Sequence, residues 1–242
     1  MGIYRTAKQL LHALIWTKRH LTGQLNVDEI SAITRFVRPD EICLDIAAHA
    51  GSWTRALSKM VNRGGHVYAF EALPYYAQVL KHTVTLLGLK NVTVINQAVT
   101  DHNNEVKLIW RDADGKHLTG MTHVAGLAEE TQEPITVSST TLDSFIASRN
   151  IRSRVAFAKG DIEGCELMVL HGASKMIDLF RPVFYMEVLA EHCCRYSCQF
   201  SDLFDFFEAR RYRAYTITNN DLVVTNKRVY CGLGDVLYIP SK

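Results

Sequence analysis

From residue 42 onward, short apolar runs rich in β-branched residues alternate with longer amphipathic stretches. Residues 42–47 (ICLDIA) form an apolar run around one acid, as in a strand covered on both faces, and the run ends in small residues. Residues 53–61 then read as a helix, and Gly64-Gly65 breaks it ahead of a second strand, residues 66–70 (HVYAF). Pro74 precedes Tyr76, Leu80, Val84 and Leu87, whose spacings of four, four and three place them on one helical face, with Gly88 suited to the C-terminus. Residues 92–95 (VTVI) make a third strand.

The alternation is then interrupted. Residues 105–110 and 135–140 read as two further strands, separated by a polar stretch, 111–133, that contains Gly115, Gly120 and Gly126. A short helix is predicted over 142–149 and strands over 155–158 and 183–188, the last one following Pro182. Ser201 is expected to cap a helix whose Leu203, Phe206 and Phe207 face the core, with Asp202 at the positive end of its dipole. Strands at 212–218, 222–225 and 236–239 close the chain. Strands alternating with helices imply an α/β fold with a mostly parallel sheet covered on both faces. Such sheets bind ligands at the carboxyl ends of their strands, where strand order reverses.

Composition narrows the function. The 242 residues are 48% hydrophobic and 21% charged, an ordinary globular balance that excludes a disordered chain. Lys+Arg 27 against Asp+Glu 25 leaves +2, so bulk charge does not point to nucleic acid, and no nucleic-acid partner is expected. No apolar run reaches the ~18–20 residues of a membrane span. The six cysteines form no framework and read as reduced thiols of a cytoplasmic protein; Cys193-Cys194-x3-Cys198 lacks the paired spacing of a zinc site. The chain divides into an N-terminal helical segment, 1–35, and one domain, 36–242. Arg5, Lys8, Lys18 and Arg19 occur with no acid before Asp28, and Leu10, Leu11, Leu14 and Ile15 form a helical stripe. That stripe is expected to cap the sheet or make a homodimer contact; the alternative is contact with a lipid-bearing or anionic acceptor. Lys18-Arg19-His20 stands where an export signal would need small residues, so export is not expected.

The candidate chemistry sits at strand ends. Asp45-Ile46-Ala47-Ala48-His49-Ala50-Gly51 leads from the first strand into a helix, a small-residue loop that lets a ligand approach the backbone. Glu71 ends the second strand and can accept hydrogen bonds from a ribose diol. Loop plus acid serves nicotinamide dinucleotides and S-adenosylmethionine (SAM) alike, and equally describes an ordinary strand–helix turn. The dinucleotide fingerprint G-x-G-x-x-G is absent, because Ala47 and Ala50 stand where glycines are wanted.

Longer stretches separate these readings. DIAAHAG (45–51), FEALP (70–74), NQAVTD (96–101), TTLDSF (140–145), KGDIEGCELMVLHGA (159–173) and RPVFYMEV (181–188) occur in this order, and the chain from about 36 to 240 resembles the FkbM family of SAM-dependent methyltransferases. The resemblance implies a class I, Rossmann-like, seven-strand sheet with an inserted β-hairpin or lid and a last antiparallel strand near 236–239. It implies SAM as cofactor, held by Asp45, Ala47, His49, Gly51 and Thr54 around the methionine portion, Glu71 and Ala72 at the ribose, and Gln97 and Ala98 at the adenine, with Asp161 beside the reacting methyl. Asp161, Glu163, Glu187 and Lys159 are the catalytic candidates, as base, orienting acceptor or ion-pair partner, and Asp161 with Glu187 are candidate ligands for Mg2+.

The implied reaction is O-methylation of a small-molecule or glycan acceptor, a sugar or specialised metabolite, with the 2-hydroxyl of fucose on a nodulation lipochitooligosaccharide as one example. His49, His171 and His192 read as structural or solvated, and the segment with His117 and His123 as a lid over the acceptor. The chain departs from the family pattern at Ala47, where glycine is usual, and at Gly160, where a bulky residue is usual and its absence is expected to open space for the acceptor. An NAD-dependent oxidoreductase and a SAM-fold module without turnover are the competing readings. A nucleic-acid methyltransferase is opposed by the absence of an Asn-Pro-Pro-Tyr or Asp-Pro-Pro-Tyr motif.

Overall fold

A computed structural model describes residues 2–22, 27–111, 114–118, 120–126 and 133–241. Helices α1 (Gly2–Leu21) and α2 (Val27–Ile33) precede the alternation. It begins with β1 (Ile42–Ile46), α3 (Ser52–Val61), β2 (His66–Phe70), α4 (Pro74–Leu86) and β3 (Val92–Ile95). Pro74 opens α4, and Gly88 closes it at φ +64°, a left-handed conformation open to glycine. The interruption comprises β4 (Ala98–Val99), β5 (Glu105–Ile109), β6 (His123–Val124) and β7 (Ile135–Thr140). Then come α5 (Leu142–Ser148), β8 (Val155–Gly160), α6 (Glu166–His171), α7 (Ser174–Phe180), β9 (Val183–Glu187), α8 (Ala190–Cys193), α9 (Phe200–Ala209), β10 (Tyr212–Thr218), β11 (Asp221–Thr225) and β12 (Asp235–Pro240).

The main sheet runs β11–β10–β12–β9–β8–β1–β2–β3. Strands β9, β8, β1, β2 and β3 are parallel, whereas β12 is antiparallel to both β9 and β10. The expected antiparallel closing strand is β12. The expected seven strands become eight, because β11 pairs antiparallel with β10 as an added edge. The inserted hairpin is likewise larger than expected: β4 and β6 flank β7 and β5 to make a small second sheet, β4–β7–β5–β6. The part of the predicted lid at 112–113, 119 and 127–132 lies outside the described residues.

Side chains of β1 alternate between two buried layers. Leu44 and Ile46 join Phe70, Phe184 and Leu170 on one face; Cys43 joins Trp53, Leu57 and Phe157 on the other. The chain order reverses at β1, which lies between β2 and β8, so the crevice expected of such sheets opens where these strands end.

Four local expectations are corrected. Helix α9 begins at Phe200, and its cap is the pair Gln199–Asp202, with Asp202 Oδ2 accepting from the Gln199 N–H at 2.8 Å; Ser201 lies inside the first turn. Strand β8 extends through Lys159 and Gly160, whose backbones register with Asp45 and Ile46 on one side and Tyr185 and Met186 on the other. A Cβ at Gly160 would lie 3.0 Å from Met186 Cε, so the space beside this glycine is filled by Met186 and is not open to an acceptor. Finally, α1 packs on α4, with His12 bonded to Tyr75 and with Gln9, Ala13 and His20 buried, while Leu10, Leu11, Leu14 and Ile15 face outward; the apolar stripe does not cap the sheet. Among the described residues no helix is long and apolar enough to cross a membrane.

Candidate active site

The loop after β1 follows a path that its small residues permit. Ala47 (φ +58°), His49 (φ +47°) and Gly51 (φ +90°) all adopt left-handed backbone. At Gly51 a Cβ would meet Leu80 Cδ1 at 2.6 Å, so glycine is required there for space as well as conformation. The Ala48 N–H donates to Phe70 O and the Gly51 N–H to Ala48 O, each at 2.8 Å, which draws the loop over the end of β2.

Glu71 joins two loops. Its Oε2 accepts from the His49 N–H at 2.9 Å and its Oε1 from the Leu73 N–H at 2.8 Å. Asn96 Nδ2 donates to the carbonyls of Glu71 and Ala72 at 2.8 and 2.9 Å and holds this turn against the end of β3. Burial pushes the Glu71 carboxyl up to about 7, against the lowering effect of these N–H groups.

Between these loops lies a cavity of about 250 Å³. Of the predicted cofactor residues, Ala47, His49, Glu71, Ala72, Gln97, Ala98 and Asp161 line it. Asp45, Gly51 and Thr54 do not; they stand behind the loop and shape it. Asp45 is fully buried, Thr54 Oγ1 donates to its Oδ2 at 2.5 Å, and its Oδ1 has no hydrogen-bond partner among the described residues. Burial raises its pKa, opposed by Lys159 and Thr54. The His49 ring is 4.3 Å from Tyr76 and 5.4 Å from Trp16 of α1, and burial, with Lys159 nearby, lowers it to about 4, so it is neutral near pH 7.

At the other end of the cavity, Lys159 Nζ pairs with Asp161 Oδ2 at 3.3 Å, as residues two apart on one strand face can. Burial works against the Lys159 charge, but Asp161, Asp45 and Asp235 outweigh it and hold the ammonium above its ordinary pKa. The turn after β8 is tight: Glu163 sits at φ +58° and Gly164 at φ +106°. Glu166 Oε1 accepts from the N–H groups of Ile162 (3.0 Å) and Gly164 (3.3 Å) and fixes the turn. Burial raises Glu166 to about 7.

Glu163 and Glu187 both meet a residue that the sequence reading set aside as structural. His192 Nδ1 is 3.1 Å from Glu163 Oε2 and 3.4 Å from Glu187 Oε2. Burial, with Asp161 adding to it, raises Glu163 to about 6, and burial with Asp161 and Glu163 raises Glu187 to about 8. Burial lowers His192. The sole sequence signal for His192 was an imidazole five residues beyond a strand-terminal acid. The pair expected to hold magnesium is divided: Asp161 is engaged with Lys159, and Glu187 converges with Glu163 and His192.

His123, Gly120, Thr122 and Val124 of the inserted segment line the cavity, whereas His117 packs on Trp110 and His171 on Phe206, both outside its lining. The cysteines are free thiols; Cys193 is buried and Cys198 Sγ donates to its carbonyl at 3.3 Å.

Comparison with known proteins places this arrangement. Residues 45–214 match the methyltransferase FkbM domain. A Clostridium thermocellum protein assigned as an rRNA methylase superposes with a TM-score of 0.51 at 14% identity, over 91% of this chain and 96% of that one. A methyltransferase FkbM from Methylobacillus flagellatus superposes with a TM-score of 0.51 at 15% identity, over 96% of this chain and 58% of that one. At such identities the likeness is one of fold. No curated protein sequence matches the chain.

Proposed function

The chain belongs to the FkbM family of SAM-dependent methyltransferases, and from that premise we propose that it is an O-methyltransferase acting on a hydroxyl of a sugar or specialised metabolite. The observation that carries this reading is the pair of acids, Glu71 and Asp161, facing one cavity from the ends of β2 and β8 on either side of β1.

The lining fits a sulfonium nucleoside. Glu71 is the acceptor for ribose hydroxyls, the small side chains Ala72 and Ala98 with Gln97 leave a slot for a flat base, and Ala47 and His49 border the amino-acid portion. Asp45, Gly51 and Thr54 act from behind by holding the loop. When bound, SAM supplies a methyl group on a positively charged sulfur. The chain's own residues place the acceptor hydroxyl beside Asp161, which accepts its proton, while Lys159 holds the Asp161 carboxylate in position. Positioning of this kind can contribute up to ~7–11 kcal/mol and a general base about 10²–10⁴ in rate. Thr122, His123 and Val124 form the wall on the acceptor side. Within the hydroxyl class, the resemblance alone puts a sugar first, with the fucose of a lipochitooligosaccharide as the candidate to assay.

Calorimetric titration with S-adenosylhomocysteine, set against NAD, tests the cofactor. Binding of the former with affinity lowered at least ~10-fold by Glu71→Ala is expected, about the loss of one charged hydrogen-bond partner. Binding of NAD instead, or of neither, would overturn the assignment. Asp161→Asn should lower turnover ~100-fold while cofactor affinity stays within about threefold.

A further inference from the structure

Beside the cavity, three ligand-type atoms point at one another. Glu163 Oε2, Glu187 Oε2 and His192 Nδ1 are buried, and none has a hydrogen-bond partner among the described residues. They lie within 4.8 Å of one another. His192 Nδ1 approaches both carboxylates, yet neither approach is aligned as a hydrogen bond. Glu163 and His192 are 7% and 6% exposed, so water does not take the missing role freely.

The convergence is built by separate elements. Glu163 comes from the turn after β8, Glu187 from the end of β9, and His192 from α8. Gly164 lets them meet: a Cβ there would lie 2.3 Å from the His192 carbonyl oxygen, so any other residue would push α8 away from the turn. Two carboxylates directed together, with Glu163 buried and the Glu187 side chain 23% exposed, repel each other and are incompletely solvated. A cation shared by all three atoms removes both problems at once.

We propose that Glu163, Glu187 and His192 bind a divalent transition-metal cation. The donor set, one imidazole nitrogen and two carboxylate oxygens, selects this class over magnesium, which prefers oxygen ligands alone. Three protein ligands with a position left open is the arrangement of a catalytic rather than a structural metal site. Glu191 Oε1 lies 3.8 Å from the other His192 nitrogen, Nε2, beyond hydrogen-bond distance and on an exposed side chain. Glu163 also lines the cavity, as does Asp161, so the three ligands adjoin that space. On the methyl-transfer reading, on which this part rests, the cation binds the acceptor oxygen and selects acceptors with a second oxygen able to join its coordination sphere, such as vicinal diols. The cation site itself stands without that reading.

The test uses the full chain, freed of metal by chelation and titrated with MnCl2, with the electron paramagnetic resonance of free Mn2+ as the readout. Mn2+ is the probe because Cys193 and Cys194, next to His192, would compete for softer ions. One site per chain is expected, at least tenfold tighter for Mn2+ than for Mg2+ in competition. Glu187→Gln and His192→Ala, checked for native fold by circular dichroism, should each weaken Mn2+ binding at least tenfold. No stoichiometric Mn2+ binding, or equal binding by both variants, would overturn the proposal and leave an ion pair only. S-adenosylhomocysteine titration of the metal-free wild-type chain separates the readings: cofactor binding without Mn2+ binding refutes the cation site alone, and Mn2+ binding without cofactor binding refutes the cofactor assignment alone.

Discussion

Ala47 carries the loop's conformational cost. Its φ of +58° is a region where a side-chain methyl costs roughly 1–2 kcal/mol, and His49 two residues on is in the same region. Non-glycine residues persist there when their surroundings overdetermine them, here through the Ala48, His49 and Gly51 N–H groups. Ala47→Gly should therefore stabilise the protein by about 0.5–1 kcal/mol in urea denaturation, since relief of the left-handed strain exceeds the added freedom of the unfolded chain. A loss of stability would show that the methyl packs favourably. Gly160 is the converse. Its unusual lack of a side chain was visible in the sequence, but whether it opened space depended on Met186, one strand away and 26 positions along the chain.

At the scale of elements, α1 has the clearest structural logic and was the least legible. A stripe of leucines ordinarily marks the buried face of a helix. Here the surface α1 meets is polar: His12 Nδ1 is hydrogen-bonded to Tyr75 Oη at 3.2 Å, His20 Nε2 donates to Ala50 O at 3.0 Å, and Trp16 stands edge-on to His49. The partners chose the face, and α1 became a clamp on the loop after β1. His20→Ala should cost about 1 kcal/mol, by removing the partner of the buried Ala50 carbonyl, and should speed amide hydrogen exchange in residues 48–51. Unchanged exchange in that loop would show that α1 does not hold it.

For the whole molecule, buried acids give stability a particular dependence on pH. Glu71 and Glu166 both titrate at about 7 in the folded chain, against an ordinary 4.5. An acid whose folded pKa is raised contributes stability that is complete below about pH 4.5 and is lost as pH rises through about 7. Buried His20 and His192 and half-buried His49 and His66 are lowered and act in the opposite sense, but only below about 6.5, above which they are neutral in both states. Between pH 6.5 and 8 the acids act unopposed by them. Glu187, raised to about 8, titrates in the same interval; stability of the metal-free chain should therefore fall there by at least ~1–2 kcal/mol in denaturant titrations, and Glu71→Gln should make the fall shallower. A rise in stability across this interval would contradict the raised pKa values.

What the sequence determined by itself is whatever rests on neighbours along the chain. The alternation of apolar runs with amphipathic stretches specified β1, α3, β2, α4 and β3, and acids at strand ends marked Asp45, Glu71, Asp161 and Glu187, because strand and helix periods are local properties. The ordered segments from Asp45 to Val188 carried the family. Tertiary structure alone decided which of those acids face the cavity and which stand behind it, because Asp45 and Asp161 differ only in what packs around them. It also decided that Glu163, Glu187 and His192, borne by a turn, a strand end and a short helix, bring three ligand-type atoms together. The register of β8 against β9 and the bare backbone of Gly164 set that meeting, and packing between distant segments leaves no periodic trace in the chain.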